Sequence, residues 1–326
     1  MIIYDIEKKI LEGYEISFDE ALNIYKNSKD CFLDLFASAS RIREKYKGKN
    51  IILCSIVSAK SGNCSEDCSF CAQSAHYKTN APVYPLMNPD EIIKRAEDAY
   101  KSGASEFSVV TSGKEIRNEN DFNKLLETFK KYSGKFKIPS CASLGALTYE
   151  KGKKLRDAGL TNYHHNLETA ESFYQNICST HTFKERIETV KTAKSLGFKV
   201  CSGGIFGMGE SEEQRIELAF TLKELNVDSV PMNFLNPIPG TPLEGMTPMK
   251  PLEILRLIAL YRFILPSKDI IICGGREVNL RSLQSMIFFA GANGTLMGNY
   301  LTTKGNSPED DMQMIEDAEL KPEVSS

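Results

Sequence analysis

Apolar and polar positions change rhythm near residue 50. Before it the chain reads as helices, and Ser17 with Glu20 three residues later forms a capping box that predicts a helix start in SFDEALNIY. From Ile51 onward, short apolar, β-prone runs alternate with amphipathic helical stretches. The runs are IILCSIVS (51–58), EFSVVTS (106–112), KIPSCAS (137–143), NYHHNL (162–167), FKVCSGGIF (198–206), DSVPMNFL (228–235), KDIIICGG (268–275) and GTLMGN (294–299). Between them lie clear helix signals. Asn88-Pro89-Asp90-Glu91 supplies an N-cap, a proline at the first helical position and a capping-box glutamate. Ile93, Ala96 and Tyr100 then recur at helical spacing, and Gly103 suits the C-terminal end. Ser211 with Gln214 starts another helix, continued by Ile216, Phe220 and Lys223, with Leu218, Leu222 and Leu225 on its other face.

Eight strand runs, each separated by enough chain for a helix, predict an α/β fold: a (β/α)8 TIM-type barrel. An open doubly wound sheet is the alternative. The chain divides into N-terminal helices (1–50), a barrel (51–303) and an acidic C-terminal extension (304–326), read as a polar tail with a mobile end. No internal linker interrupts this, so one domain is expected.

Composition narrows the partners. Apolar content of 41% and charged content of 25% suit a globular protein, and 40 basic against 43 acidic residues give a net charge of −3 with no nucleic-acid steering. No apolar run reaches the roughly eighteen residues of a membrane span. The opening MIIYDIEKKILEGYEI carries acids and no long apolar core, so no signal peptide is expected. Nine cysteines sit irregularly at 31, 54, 64, 68, 71, 141, 178, 201 and 273, unlike a secreted disulfide framework. A reducing, cytoplasmic setting follows, where thiols serve metals.

The strongest chemical signal is SGNCSEDCSFCAQSA, in which Cys64, Cys68 and Cys71 are spaced C-x3-C-x2-C. Iron–sulfur clusters are normally closed by four protein ligands, and three thiolates leave the fourth iron of a cubane open. Zinc would call for a second C-x2-4-C or H-x3-5-H pair. The nearest later imidazole is His76, and no second pair follows. The spacing resembles that of the radical S-adenosylmethionine (SAM) enzymes, in which SAM closes the open iron and the aromatic at the position of Phe70 sits near its adenine.

A second group of thiols lies on strand runs. Cys141, Cys201 and Cys273 fall on the third, fifth and seventh, and inward residues of alternate barrel strands share a layer. Each alone reads as an ordinary buried cysteine; the three together read as a second metal site. Cys31, Cys54 and Cys178 have no such partners and read as structural.

From about residue 50 to 320 the chain closely resembles the biotin synthase family. The resemblance is carried by SGNCSEDCSFCAQSAHYKT, SCASLGAL, DAGLTNYHHNLET, KVCSGGIFGMGE, SVPMNFL with GTPL, GGRE, and AGANGTLMGNYLTT. It implies a barrel enzyme that inserts sulfur between C6 and C9 of dethiobiotin, using a 4Fe–4S cluster, SAM and an auxiliary iron–sulfur cluster as sulfur donor. It also implies a reducing partner such as flavodoxin or ferredoxin, and a homodimer. Cys64, Cys68 and Cys71 match the ligands of the SAM cluster. Asn166 and Glu168 match contacts to the dethiobiotin ureido group and the SAM ribose, with Glu168 where familiar members have aspartate. Arg186 matches a residue near the SAM carboxylate, where a guanidinium fork suits the anion. Asn233 matches a substrate contact. Gly203, Gly204 and Ile205 open a G-x-I-x-G-x-x-E stretch ending at Glu210 that places Ile205 against adenine.

One departure stands out. The best-known members hold a 2Fe–2S cluster on three cysteines and an arginine. Two of those cysteines are Cys141 and Cys201 here, but the third position is Ser108 and the arginine position is Ile271. Cys273 lies two residues past Ile271 and so faces the same side of a strand. The auxiliary cluster is therefore expected on Cys141, Cys201 and Cys273, either as a 2Fe–2S cluster or as a larger cluster with an open iron, and Ser108 as a weak ligand or a filler. The competing readings are a radical-SAM enzyme of the hydrogenase-maturation or methylornithine-synthase type, without sulfur insertion, and a non-catalytic iron–sulfur carrier.

Overall fold

A computed structural model of the chain describes residues 2–323. Three helices, α1 (Ile2–Leu11), α2 (Phe18–Asn27) and α3 (Phe32–Lys47), precede the first strand, β1 (Asn50–Lys60). The Ser17–Glu20 capping box is formed in both directions. Helices and strands then alternate: α4 (Pro89–Lys101), β2 (Glu106–Thr111), α5 (Glu119–Lys135), β3 (Ser140–Ser143), α6 (Tyr149–Asp157) and β4 (Asn162–His164). They continue with α7 (Glu171–Tyr174), α8 (Phe183–Ser195), β5 (Lys199–Cys201), β6 (Gly204–Phe206), α9 (Glu212–Glu224), β7 (Ser229–Phe234), α10 (Pro251–Ile264) and β8 (Asp269–Ile272). The last elements are α11 (Arg276–Leu280), α12 (Met286–Phe289), β9 (Gly294–Leu296), α13 (Pro308–Asp317) and β10 (Lys321–Pro322).

All eight predicted runs form strands. Parallel pairing runs β1-β2-β3-β4-β5-β7-β8-β9, and β9 pairs back onto β1 through Ile52–Gly294, Leu53–Thr295 and Cys54–Leu296. That last pairing closes the barrel and excludes the open doubly wound sheet. The fifth run splits into β5 and β6 for a local reason. The Gly203 carbonyl turns away from the ladder to accept the N–H groups of Leu167 and Glu168, at 2.9 and 3.2 Å. A Cβ at Gly203 would lie 2.0 Å from the Pro231 oxygen, so only glycine fits the break.

The helices close as their end signals require. Asn88 and Ser211 both make capping boxes, with Glu91 and Gln214. In α9 not only Leu218 and Leu222 but also Ile216 and Ala219 are buried, because α9 lies between the barrel and the helices α2 and α10. Tyr100, in contrast, stays half exposed and leans on Phe136, with ring centroids 6.1 Å apart. One apolar cluster runs from Ile3 to Leu320, joining the N-terminal helices to the barrel wall.

The acidic extension does not trail away as a polar tail. Residues 308–317 form α13, and β10 pairs in parallel with Asn50 and Ile51 at the start of β1. Asp311 is fully buried, with its carboxylate 2.6 Å from the Arg276 guanidinium, itself fully buried. Arg276 also donates to Thr295 on β9. An acidic, amphipathic segment with one buried anchor thus reads as solvent-loving while it packs. Residues 324–326, where a mobile end was expected, lie outside the described residues.

Candidate active site

β1 ends at Lys60 and delivers the thiol loop to the C-terminal mouth of the barrel, where barrel enzymes carry their sites. Backbone bonds shape this loop: Cys64 N–H to Gln73 O at 3.0 Å, Ala75 N–H to Cys64 O at 2.8 Å, and Cys71 N–H to Cys68 O at 3.0 Å. Asp67 ties it to the loop after α7, accepting the N–H groups of Ser179 and Thr180 at 2.9 and 3.2 Å. Ser69 N–H adds a bond to Ile177 O at 2.8 Å.

Cys64, Cys68 and Cys71 line one end of a cavity of ≈ 450 Å³ that runs down between the strands. Phe70, Asn166, Glu168, Arg186, Ile205 and Asn233 line it as well, so these expected site residues converge. Gly203 and Gly204 stand behind the wall instead. A Cβ at Gly204 would lie 2.5 Å from the Glu168 oxygen, which ties these glycines to close packing. Glu210 is also structural: it accepts the N–H groups of Gly207 and Met208, each at 2.8 Å, and pairs with Arg215 at 2.7 Å. His76 is exposed, bonded to Ser65 O, and joins no group of possible metal ligands among the described residues.

The polar wall is held rigidly. The Arg186 guanidinium donates to Tyr174 Oη at 2.7 Å, Asn166 O at 2.9 Å and Glu168 Oε1 at 3.5 Å, and contacts His181 Nε2 at 2.8 Å. Glu168 adopts a left-handed backbone, φ 71°, a strained conformation for a residue with a side chain. Its carboxyl is pushed up by burial, against the opposing pull of Arg186. Asn166 Oδ1 accepts Gly203 N–H at 3.1 Å, and Asn233 Oδ1 accepts Gly274 N–H at 2.9 Å. Both amides are therefore clamped to backbone with fixed orientation.

Deeper between the strands sit Cys141, Cys201 and Cys273, with Ile271 and Ser108 on the same cavity wall. Ser108 pairs in register with Cys141, and its hydroxyl favours that thiolate. The structure adds a residue that the sequence reading set aside. Cys54 is no isolated structural thiol: it lines this floor on β1, and Cys273 and Cys201 lie near enough to raise its pKa. Its Sγ is 3.4 Å from Glu106, a carboxyl that burial raises. His164, half-buried and held neutral with its pKa lowered to about 4 by desolvation, places Nδ1 3.4 Å from Cys201 Sγ. The floor thiols thus come from the first, third, fifth and seventh predicted strands. The odd-strand rule applied to Cys141, Cys201 and Cys273 was the signal that should have included Cys54.

Cys178 also has partners. Its Sγ lies 3.8 Å from Cys68 Sγ and 3.2 Å from His181 Nδ1. Cys31, by contrast, only bonds the Asn27 carbonyl near the surface and stays structural.

Do these residues fit iron–sulfur clusters? All nine cysteines are free. Burial pushes Cys71 up to about 11 and both Cys141 and Cys273 up to about 12, so the thiolates need a cationic centre to form. Among the described residues, only Cys68, Cys178 and His181 bring three ligand atoms within 4.8 Å of one another. Neither the loop thiols nor the floor thiols crowd as a single ion demands, and groups of three or more thiols on one cavity are the donor type that iron–sulfur clusters take. The donor sets fit.

Comparison with known proteins agrees with this geometry. The Radical SAM superfamily matches residues 59–222, and the Biotin and Thiamin Synthesis associated domain matches residues 231–321. Methylornithine synthase, a solved structure, superposes with TM-score 0.85 over 98% of both chains at 22% identity. A maturase of the FeFe-hydrogenase superposes with TM-score 0.84, covering all of this chain and 76% of its own, at 16% identity. At such identities these two share the fold alone. The biotin synthase of Geotalea uraniireducens is 51% identical over 312 residues, spanning 96% of this chain and 95% of the relative. That of Clostridium acetobutylicum is 50% identical over 321 residues, spanning 98% of each. With half its residues shared along nearly its whole length, and its thiols arrayed at both ends of one barrel cavity, the chain belongs to the biotin synthase family of radical-SAM enzymes.

Proposed function

We propose that this chain converts dethiobiotin to biotin by inserting sulfur between C6 and C9. The observation that carries the reading is a single cavity with three thiols at its mouth and four on its floor. Cys64, Cys68 and Cys71 would hold the 4Fe–4S cluster. Cys141, Cys201 and Cys273, with Cys54 beside them, would hold the auxiliary cluster without the arginine of familiar members. Bound there, SAM and the two clusters supply a hydrogen-abstracting radical and a sulfide, chemistry beyond the reach of side chains acting as acids and bases.

The chain's own residues bind, orient and exclude water. Arg186, anchored by Tyr174 and the Asn166 carbonyl, keeps a guanidinium turned to the mouth for the SAM carboxylate. Glu168 is fixed by its strained backbone and by Arg186, ready for a ribose hydroxyl. Phe70 and Ile205 offer apolar surface for adenine. Asn166 and Asn233, clamped by Gly203 and Gly274, present amide groups to the ureido ring. Tyr300 and Leu301 help close the cavity, keeping water from a reactive intermediate.

A reducing protein such as a flavodoxin or ferredoxin, a homodimeric state and a cytoplasmic setting accompany this reading. No helix among the described residues is long and apolar enough to cross a membrane. The N-terminal helices (1–50), barrel (51–303) and C-terminal extension (304–326) are taken as one working unit.

Anaerobic turnover with dethiobiotin, SAM and a reductant tests the proposal. Wild type should form biotin, and Cys273→Ala should lose at least about a hundredfold in rate, on the order of 2.7 kcal/mol of barrier. Full activity in Cys273→Ala would remove it from the auxiliary site. 5′-Deoxyadenosine without biotin would favour a radical-SAM enzyme that does not insert sulfur.

A further inference from the structure

A second kind of metal chemistry is built beside the thiol loop. Cys178 and His181, spaced C-x2-H on the loop between α7 and α8, meet Cys68 across a gap of the right size for one ion. In a tetrahedral site with metal–sulfur bonds of about 2.3 Å and metal–nitrogen bonds of about 2.0 Å, two sulfurs stand about 3.8 Å apart, and sulfur and nitrogen about 3.5 Å. Here Cys68 and Cys178 sulfurs are 3.8 Å apart, and Cys178 Sγ is 3.8 Å from His181 Nε2.

The surroundings prepare the imidazole. Glu66 Oε2 lies 2.7 Å from His181 Nδ1, the carboxylate–histidine contact that fixes the tautomer and leaves Nε2 with its lone pair. Nε2 is engaged by Arg186 at 2.8 Å, but Arg186 keeps three other partners if that contact is given up. The Asp67 carboxylate, 3.3 Å from Cys178 Sγ, adds negative charge on the far side. His181 and Cys178 are both largely withdrawn from solvent.

We propose that the cluster-free protein binds one thiophilic divalent cation of the zinc class on Cys68, Cys178 and His181, with solvent in the fourth position. Binding displaces the thiol protons of Cys68 and Cys178 to solvent and needs no electron transfer. Cys68 cannot serve this ion and an iron of the 4Fe–4S cluster together. Zinc and the cluster therefore exclude one another, and zinc occupation also frees Arg186 from His181. The inference uses the cluster role of Cys68 only for this exclusion; the ion site itself does not depend on the reaction proposed above.

Anaerobic titration of the full-length, cluster-free chain with cobalt(II), followed by its tetrahedral d–d and thiolate charge-transfer bands, tests the site. The floor thiols can also take cobalt, so the comparison is between variants. Cys178→Ala should bind one cobalt fewer per chain than wild type, or bind it at least about a hundredfold more weakly, and His181→Ala should behave likewise. Cys64→Ala should keep the full count, and Cys178→His, which retains a ligand, should restore it with an altered charge-transfer band. Unchanged cobalt binding in Cys178→Ala, or equal loss in Cys64→Ala, would overturn the assignment. As a second readout, preloaded zinc should slow iron and sulfide uptake at the SAM-cluster site at least about tenfold in wild type and not in Cys178→Ala. Equal slowing in both would place the inhibitory zinc elsewhere. None of these readouts involves SAM or dethiobiotin, so failure here leaves the biotin reading standing on its own test.

Discussion

Glu106 is a carboxyl at the bottom of a thiol-lined cavity, bonded by Asn162 Nδ2 at 3.3 Å and by Cys54 Sγ. Burial raises its pKa above the ordinary value. The unfolded chain titrates it near 4.3, so the folded state holds the proton more tightly. Its contribution to stability is complete below that value and is lost as pH rises through the folded pKa. Glu106→Gln cannot ionise, so in cluster-free protein it should match wild type near about pH 4 and exceed it at about pH 8 in urea unfolding. Parallel stability curves would show that Glu106 is not displaced in its titration. Cys54 makes a second prediction at this scale. In a Cys64→Ala/Cys68→Ala/Cys71→Ala background, where the floor alone holds iron, Cys54→Ala should lower retained iron and sulfide by about half or more. Cys31→Ala should leave both unchanged. The loop thiols were legible because three ligands share one short segment. Cys54 was not, because the run IILCSIVS is apolar on both faces and hides which side points inward. Glu106 opens a strand, a position where an acid reads as a boundary.

Among the elements, α13 departs most from what its composition implied. PEDDMQMIED carries five acids in ten residues, and that charge density suggested a solvated tail. One of those acids, Asp311, faces inward to Arg276, whose own element begins directly after the Cys273-Gly274-Gly275 turn. The partner lies 35 residues away, so no local pattern announces the pair. Removing one member of a buried ion pair strands the other charge. Arg276 keeps Glu277, 3.1 Å away, as a second partner, so Asp311→Ala should cost about 2–3 kcal/mol in urea unfolding, less than the ~3–5 kcal/mol of a fully stranded charge, and a loss below about 1 kcal/mol would show the pair to be solvated. Strands and capped helices were legible for the opposite reason, since their signals are local. The split between β5 and β6 was not, because it depends on Gly203 meeting both Pro231 and the loop after β4.

At the scale of the whole molecule, counting eight runs was enough for the fold class, because short strands separated by helices have few ways to bury both faces. What the count could not supply was closure, which rests on three residue pairs between β9 and β1. The cavity that closure encloses is lined by residues from every barrel strand. A ligand held there braces the entire wall. Saturating the cluster-loaded enzyme with SAM at about 100 times its Kd should raise unfolding stability by about 2.7 kcal/mol, read as an upward shift of the melting midpoint. No shift would mean that the mouth does not bind SAM.

Closure also orders events in time. β1 and its thiol loop leave the ribosome early, yet the partner that completes β1 on its open side is residues 294–296. At about 5–20 residues per second, translation leaves the loop waiting on the order of tens of seconds before β9 exists. Cys141 on β3, Cys201 on β5 and Cys273 just after β8 arrive in sequence during that interval. The cavity floor, which takes its thiols from β1, β3, β5 and the end of β8, is therefore complete only when synthesis is almost finished.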